Sequence, residues 1–215
     1  MKQHWFFDLD GTIADTDRDI RETWKSVMMD LGLSCEDFDD KFVTGPPIGV
    51  IAKQLFPDRY SEELVRQLCE GFSNHYDNDG LPNTNLFPRA IEEIRKLRAA
   101  GAKVYIATNK RYAGAKAVIA KFEIGGLFDA VYAGDMHKDD EIGVLAKPQL
   151  LELALRELGI DSDDAVMVGD TINDFAAAKA VGMASVAVPW GYGTQAELAE
   201  ATARWNGEGD IAALI

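Results

Sequence analysis

The sequence predicts an α/β protein whose core is a doubly wound parallel sheet and whose first strand is followed by an inserted block of helices. Two patterns support this prediction. Residues 16–77 carry apolar side chains at helical spacing and contain no convincing strand. From Phe87 onward, short apolar runs alternate with helical segments, as expected when right-handed crossovers connect parallel strands that are covered on both faces.

The first predicted strand is the apolar run at residues 4–7, which ends at Asp8 and Asp10. Ligands of an open parallel sheet bind outside the carboxyl ends of its strands, so residues at this exit point into the binding crevice. Two carboxylates this close repel each other unless a cation joins them. An acidic turn closed by Gly11 is also a common solvated strand exit, and this motif alone leaves both interpretations open.

The inserted block predicts at least two helices. Apolar side chains recur at helical spacing from Ile20 to Leu31 and stop at Gly32, which suits a helix C-terminus. Ser61 precedes two glutamates and is expected to cap a second helix, with both acids at the positive end of its dipole. Residues 81–85 are rich in turn formers, which indicates the connection back to the core.

The core then resumes with alternating elements. Pro88 is expected to open a helix that Gly101 closes. Further strands are expected at residues 104–107, 130–133, 165–169 and 184–188. Their spacing leaves room for a helix between successive strands, which favours a parallel sheet.

Composition limits the function classes. With 215 residues, 47% of them apolar, the chain can form one well-buried domain and a smaller insertion. Its formal charge of -14 should repel a nucleic-acid backbone. Neither a secretory signal before Asp8 nor a membrane span is visible, so we expect a cytoplasmic protein that binds neither nucleic acid nor membrane. Cys35 and Cys69 are too few for a disulfide framework, and we expect both to be buried and reduced.

Polar residues recur where later elements begin or end. Thr108 and Asn109 follow the second core strand, a Lys-Pro pair stands at residues 147–148, and Gly-Asp-Thr at residues 169–171 is followed by Asp174. Together with Asp-x-Asp-Gly-Thr at the first strand, these stations resemble the four motifs of the haloacid dehalogenase superfamily of phosphotransferases. The resemblance covers essentially the whole chain. It implies a Rossmann-like core with a helical cap.

The resemblance also implies roles for the acids. Asp8 would be the nucleophile that forms an aspartyl-phosphate, and Asp10 would protonate the leaving group and later accept a proton from water. Because these acids and Asp170 converge, a divalent cation is expected, and all-oxygen ligands beside a phosphate favour Mg2+. Its ligands would be Asp8, the backbone carbonyl of Asp10, and Asp170. Asp174 lies one helical turn further and would orient a metal-bound water or Lys147.

Four positions would bind the phosphate. They are the turn at Gly11, the hydroxyl of Thr108, the backbone amide at Asn109 and the ammonium of Lys147, which also completes the catalytic set. An isolated threonine more often caps a helix, and an isolated lysine more often lies on the surface. Only their order relative to the acids favours the phosphate site.

The inserted block resembles the C1-type cap of phosphoglycolate phosphatases, beta-phosphoglucomutase and phosphonatase. This places the core at residues 1–15 and 82–215 and the cap at residues 16–81. The run at residues 44–47 in the cap and the Trp-Gly-Tyr-Gly loop at residues 190–193 in the core both resemble phosphoglycolate-phosphatase-type members. This resemblance implies that Thr44, Gly45 and Pro46 form the substrate-facing loop of the cap. A Gly-Pro-Pro run is also an ordinary helix entry, with proline at the first helical position.

The sequence therefore predicts a Mg2+-dependent phosphatase of a small phosphomonoester, acting as a monomer or weak homodimer. A phosphomutase is the first alternative, because it would use every residue named above. A binding or regulatory protein that lacks turnover is the second. The intact acids argue against it, since a non-catalytic relative has no physical need to hold repelling carboxylates together.

Overall fold

The structure is a computed structural model that describes residues 2–137 and 143–215. The chain divides into two compact units. The core unit consists of Met1–Asp15 and Asn85–Ile215, and the inserted unit consists of Thr16–Thr84.

The core unit is built on a six-stranded parallel sheet, and a two-stranded antiparallel ribbon lies beside its first loop. Its strands are β1 (His4–Phe7), β2 (Ala14–Asp15), β3 (Asn85–Leu86), β4 (Lys103–Thr108), β5 (Ala130–Ala133), β6 (Ala165–Gly169), β7 (Ala184–Ala187) and β8 (Ala203–Arg204). The ribbon pairs β2 with β3, and the sheet has the order β5-β4-β1-β6-β7-β8. Strands β4 and β5 follow β1 on one side of the sheet, and β6, β7 and β8 then follow on the other side. The strand order therefore reverses at β1, and such switch points are where these sheets bind ligands.

Strand β1 is buried on both faces, as a central strand of a parallel sheet must be. Its residues Trp5, Phe6 and Phe7 are all buried. The register pairs Phe7 with Ile106 of β4 and with Val168 of β6. The residues that follow these three strands therefore emerge along the same edge of the sheet.

The inserted unit is helical. It contains α1 (Asp17–Asp30), α2 (Phe38–Lys41), α3 (Ile48–Leu55) and α4 (Glu62–Tyr76). The Trp24 ring of α1 lies 5.7 Å from Phe42, which follows α2, and 6.1 Å from Phe72 on α4, so these aromatic contacts join the three helices. The predicted cap of α4 is confirmed, because the Ser61 hydroxyl accepts a hydrogen bond from the Leu64 amide at 3.1 Å.

Helices of the core follow the predicted alternation. They are α5 (Pro88–Ala99), α6 (Tyr112–Lys121), α7 (Lys147–Leu158), α8 (Ile172–Ala180) and α9 (Gln195–Leu198). The predicted fold class and the strands at residues 130–133 and 165–169 are confirmed. No helix in the described parts of the chain has both the length and the apolar character that crossing a membrane requires.

One expectation about the cysteines is wrong. Cys35 and Cys69 form no disulfide within the described ranges, but both side chains are half-buried instead of buried. Cys35 lies in the loop between α1 and α2, and Cys69 lies on α4 between the buried Leu68 and an exposed position. Both side chains are therefore partly exposed, and the apolar character of cysteine did not by itself require complete burial.

Candidate active site

The edge of the sheet next to β1 brings three buried carboxylates together. Asp8 follows β1, Asp170 follows β6, and Asp174 stands in the first turn of α8. Each offers an oxygen within 4.8 Å of the others. A buried set of carboxylate oxygens suits a hard divalent cation, so this cluster could hold a metal ion.

Asp8 is fixed through both of its oxygens. Oδ1 accepts a hydrogen bond from the Leu9 amide at 2.7 Å, and Oδ2 lies 2.7 Å from the Lys147 ammonium. Burial raises the pKa of Asp8 to about 7; Lys147 opposes this shift and the Asp174 charge adds to it. The carboxylate is therefore held in one orientation but carries a charge that the site only partly compensates.

Asp170 is held by the neighbouring loops. Its Oδ1 accepts a hydrogen bond from the Thr12 hydroxyl at 3.2 Å, and its Oδ2 accepts one from the Tyr192 amide at 2.7 Å. Burial, followed by the charges of Asp174 and Asp8, raises the pKa of Asp170 to about 8. Two ligand candidates with raised pKa values indicate a local excess of negative charge, which a bound cation would neutralise.

Glycines allow the backbone to approach Asp170 closely. Gly11 has a φ of +77°, and a Cβ atom there would lie 2.1 Å from Asp170 Oδ2. A Cβ atom at Gly191 would lie 2.2 Å from the Cβ of Asp170. Any side chain at either position would displace this carboxylate, so both turns are shaped around it.

Lys147 begins α7 and lies between two acids. Its ammonium is 2.7 Å from Asp8 Oδ2 and 2.5 Å from Asp174 Oδ1, and its side chain is 2% exposed. Burial alone would lower the pKa of Lys147, but the two carboxylates, Asp174 foremost, outweigh this and raise it. The lysine is therefore a fixed positive charge beside Asp8.

Asp174 is engaged at both ends of its carboxylate. Oδ1 meets Lys147, while Oδ2 accepts hydrogen bonds from the amides of Asp170 and Thr171 at 3.2 and 3.1 Å and from the Thr171 hydroxyl at 3.1 Å. This geometry links the turn after β6 to Lys147. Asp174 is thus placed to orient its neighbours, in agreement with the position expected from the sequence.

Asp10 lies beside a lysine that the sequence analysis missed. The Lys110 ammonium is 3.0 Å from Asp10 Oδ1 and 3.3 Å from Oδ2. The side chains of Lys110 and Asp10 are only 7% and 12% exposed. Lys110 stands two residues after Thr108, and this closeness to a predicted phosphate-binding residue is the signal that could have identified it.

Thr108 ends β4 and is buried. Its hydroxyl accepts a hydrogen bond from the Lys110 amide at 3.2 Å, and a hydroxyl that accepts one bond still carries a proton that it can donate. Asn109 follows at the same edge and is half-buried. Both predicted phosphate-binding positions therefore lie at the strand exits.

The Trp-Gly-Tyr-Gly loop contacts the segment that follows β1. Trp190 Nε1 donates to the Thr12 carbonyl at 3.2 Å, and its ring packs edge-on against Trp205 at 5.2 Å. The Tyr192 hydroxyl lies 3.2 Å from Asp15 Oδ1. The contacts of Trp190 are packing contacts within the core unit.

The predicted loop of the inserted unit comes before α3. The Thr44 side chain is buried, and its hydroxyl donates to Asp17 Oδ1 at 2.5 Å. Gly45 is exposed and Pro46 is half-buried. Helix α3 begins only at Ile48, so neither proline of the Gly-Pro-Pro run occupies the first helical position. The role of this loop in substrate binding stays a prediction.

Comparison with known proteins identifies the family and the fold. The family model for haloacid dehalogenase-like hydrolases matches residues 5–188. The chain is 31% identical over 201 residues to a protein named probable phosphatase IndB from Dickeya dadantii, covering 92% of this chain and 86% of that protein. It is 28% identical over 189 residues to a phosphoglycolate phosphatase from Aquifex aeolicus, covering 86% and 84% of the two chains. The structure of CbbY from Rhodobacter sphaeroides, in complex with xylulose-(1,5)bisphosphate, shares the fold with a TM-score of 0.80 at 24% identity, covering 100% of this chain and 99% of that one.

Proposed function

The chain belongs to the haloacid dehalogenase-like hydrolase family and is a phosphatase, and we propose that it hydrolyses a small phosphomonoester in a Mg2+-dependent reaction through an aspartyl-phosphate on Asp8. The observation that carries this proposal is the convergence of Asp8 and Asp170, which follow neighbouring strands, with Lys147 at the start of α7. In this proposal residues 1–15 and 82–215 perform the chemistry. Residues 16–81 act as the cap that selects the substrate.

The ligands proposed for Mg2+ are Asp8, the backbone carbonyl of Asp10, and Asp170. When bound, Mg2+ would offset the negative charge shared by the acids and the phosphoryl oxygens. The residues fit this ion because the carboxylates of Asp8, Asp170 and Asp174 converge here, offer oxygen ligands and are buried. Asp174 orients Lys147 and the turn that carries Asp170.

In the first step the Asp8 carboxylate attacks phosphorus, so a bond forms between phosphorus and the aspartyl oxygen while the ester bond to the leaving group breaks. Asp10 gives a proton to the departing oxygen. In the second step the water oxygen bonds to phosphorus while the bond between phosphorus and the Asp8 oxygen breaks. Asp10, ionised since the first step, accepts the water proton, and inorganic phosphate leaves the regenerated Asp8 carboxylate. Lys147 holds Asp8 in its attacking orientation and places a positive charge near the phosphoryl oxygens.

The phosphoryl group is held by donors at the exit of β4. The Thr108 hydroxyl and the Asn109 amide donate to phosphate oxygens in this proposal, and the turn at Gly11 leaves room for the group to approach. Positioning and charge neutralisation are most of what phosphoryl transfer asks of a protein. The site therefore contains the parts that the reaction needs.

The substrate class follows from relatives and not from geometry. Relatives are named phosphoglycolate phosphatases, which supports a small phosphorylated hydroxy acid or a related metabolite as the substrate. Thr44, Gly45 and Pro46 are the proposed source of selectivity in the inserted unit. The net charge of -14 further disfavours a polymeric nucleic-acid substrate.

A substrate panel tests the proposal. Purified protein is supplied with an aryl phosphate, 2-phosphoglycolate, a hexose phosphate and an alkyl phosphate, with and without Mg2+, while inorganic phosphate and sugar isomers are measured. We expect phosphate release that chelation abolishes and added Mg2+ restores. Isomer formation without phosphate release would identify a mutase. Turnover that a chelator leaves unchanged would overturn the metal assignment, and an absence of any turnover would overturn the function.

A further inference from the structure

We infer that Lys110 is a positioning residue that holds Asp10 in place for proton transfer to the leaving group. The inference rests on the proposed function, because it assigns Lys110 to the same reaction. Its basis is the pair itself, in which one ammonium lies 3.0 and 3.3 Å from the two oxygens of a single carboxylate. Contact with both oxygens fixes the plane of the carboxylate as well as its position.

The fold presents Lys110 to Asp10 from a rigid loop. Strand β4 is the direct neighbour of β1, so the loops that follow them lie side by side. The Lys110 amide donates to the Thr108 hydroxyl at 3.2 Å, and the Tyr112 amide donates to Asp135 Oδ1 at 2.6 Å where α6 begins. Because the loop is tied on both sides of Lys110, the lysine stem starts from a fixed point.

Low exposure distinguishes this pair from an ordinary surface ion pair. Exposed pairs contribute little, since water and salt screen them and both side chains lose rotamer freedom. Lys110 and Asp10 are 7% and 12% exposed, so little water can compete for either charge. Replacing Lys110 would remove its contacts with both oxygens of Asp10.

Two lysines thus divide the acids of the site between them. Lys147 contacts Asp8, which is the proposed nucleophile, and Asp174. Lys110 contacts Asp10, which the mechanism places on the side of the leaving group. Proton transfer requires the acid within hydrogen-bond reach of the departing oxygen, and small errors in orientation cost large factors in rate. Lys110 is placed to prevent such errors.

Leaving-group dependence tests this inference. An aryl phosphate leaves without a proton, whereas an alkyl phosphate needs one. We expect Lys110→Met to lower kcat/KM, which reports the first step, by roughly 10- to 100-fold for the alkyl phosphate and by less than about threefold for the aryl phosphate. Lys110→Arg should recover part of the alkyl activity, because a guanidinium can also contact both oxygens, although it is larger and planar. Lys116→Met removes the same charge from an exposed position of α6 and should behave as wild type.

A double variant separates positioning from independent effects. If Lys110 acts through Asp10, then Asp10→Asn combined with Lys110→Met should hydrolyse the alkyl phosphate no more slowly than Asp10→Asn alone. Additive losses would overturn the inference, as would equal losses for both leaving groups or a rise in KM alone for both. The last result would mean that Lys110 binds the phosphate directly. Lys110→Gln provides the same comparison if Lys110→Met does not fold.

The wild-type control keeps the two proposals apart. Wild-type protein that turns over neither phosphate would overturn the proposed function and this inference together. Wild-type protein that is active on both, with a Lys110→Met variant that loses both equally, would overturn only the assignment of Lys110. A circular-dichroism melt of each variant confirms that the rates compare folded proteins.

Discussion

The strand exits of the core unit and the loop before α3 in the inserted unit hold their polar side chains in different ways. At the strand exits, the backbone itself supplies donors: the amides of Leu9 and Tyr192 bind the carboxylates of Asp8 and Asp170. In the inserted unit, the Thr44 hydroxyl is held by the side chain of Asp17. One arrangement depends on the register of the sheet, and the other depends on which side chains α1 carries.

The anchoring of the second region shows how few contacts it uses. Arg21 on α1 donates from Nε to Asp17 Oδ2 at 2.7 Å and from Nη2 to the Phe42 carbonyl at 3.1 Å. Its guanidinium also lies 5.0 Å from the centre of the Phe42 ring. A change in Asp17 or Arg21 would alter the loop without disturbing any strand. We expect the chemistry to reside at the strand exits, where backbone amides hold the carboxylates, and the selectivity to reside in the loop before α3, which side chains hold in place.

The largest expected effect is on the nucleophile. Asp8→Asn keeps the shape of the side chain but removes the charge that attacks phosphorus, so we expect phosphate release to fall by about 10⁴-fold or more. Asp163→Asn, an exposed aspartate of the core unit, is the matched control and should retain activity. A phosphorylated protein that forms from substrate in wild type and loses its label in hydroxylamine should be absent from Asp8→Asn. Substantial activity of that variant would contradict the assigned nucleophile.

The next effect separates two acids of the same region. Asp10→Asn cannot donate a proton, so kcat/KM, which reports the first step, should fall roughly 10²- to 10³-fold for the alkyl phosphate and far less for the aryl phosphate. The second step, in which Asp10 accepts the water proton, should slow equally for both substrates. Measuring both substrates with one enzyme preparation removes errors in active concentration. Equal losses would remove the acid role from Asp10 and leave it a purely structural member of the site.

The strand exits should also respond to pH and Mg2+ in a way that the inserted unit does not. The pKa values of Asp8 and Asp170 are raised to about 7 and about 8 from an ordinary value of 3.8. The folded state therefore binds more protons than the unfolded chain between about pH 4 and pH 8, and stability without metal should fall as pH rises through this window. Mg2+ binds the ionised carboxylates, so it should stabilise the protein more at pH 8 than at pH 5.5.

Thermal melts with and without Mg2+ measure this effect. At about a hundredfold excess over Kd, we expect Mg2+ to raise Tm at pH 8 by roughly 5–10 °C. Asp170→Asn should lose most of this increase, and Asp163→Asn should keep it. An increase of equal size at both pH values would mean that Mg2+ binds elsewhere, or that these carboxylates ionise normally.

The sequence predicted the positions of the strand exits well, and there is a physical reason for this success. Buried parallel strands are nearly continuous apolar runs, so the polar residues that interrupt them, such as Asp8 and Thr108, mark strand exits directly. Since parallel strands share an edge, these residues must lie close together. Lys147 was predicted from its position along the chain relative to the acid motifs. The residues around a single lysine do not by themselves indicate such a role.

Other features depend on tertiary contacts that periodicity cannot show. Its closeness to Thr108 could have marked Lys110 as a residue of the site, but its pairing with Asp10 depends on β4 lying beside β1, which the residues around Lys110 do not show. The ribbon of β2 and β3 has two residues in each strand, which is too short for an alternating pattern. The link between Thr44 and Asp17 joins residues 27 positions apart within the inserted unit, and spacing alone does not predict it.

The smallest expected effect concerns the hydrogen bond between Thr44 and Asp17. It tests whether the loop before α3 selects the substrate. Thr44→Val keeps the volume of a buried side chain but removes the hydroxyl that donates to Asp17. If the loop selects the substrate, the ratio of kcat/KM for a small and a large phosphomonoester should change by roughly three- to tenfold, since discrimination resides in differential transition-state binding. The increase in Tm with Mg2+ and the labelling of Asp8 should stay as in wild type, because both belong to the core.

The matched control is Val43→Thr, which makes the reverse exchange at the exposed neighbouring position and should leave the ratio of kcat/KM values unaltered. A Thr44→Val variant that loses stability but keeps the wild-type ratio would show that the hydroxyl only anchors the loop, and selectivity would then have to come from the strand exits that also perform the chemistry.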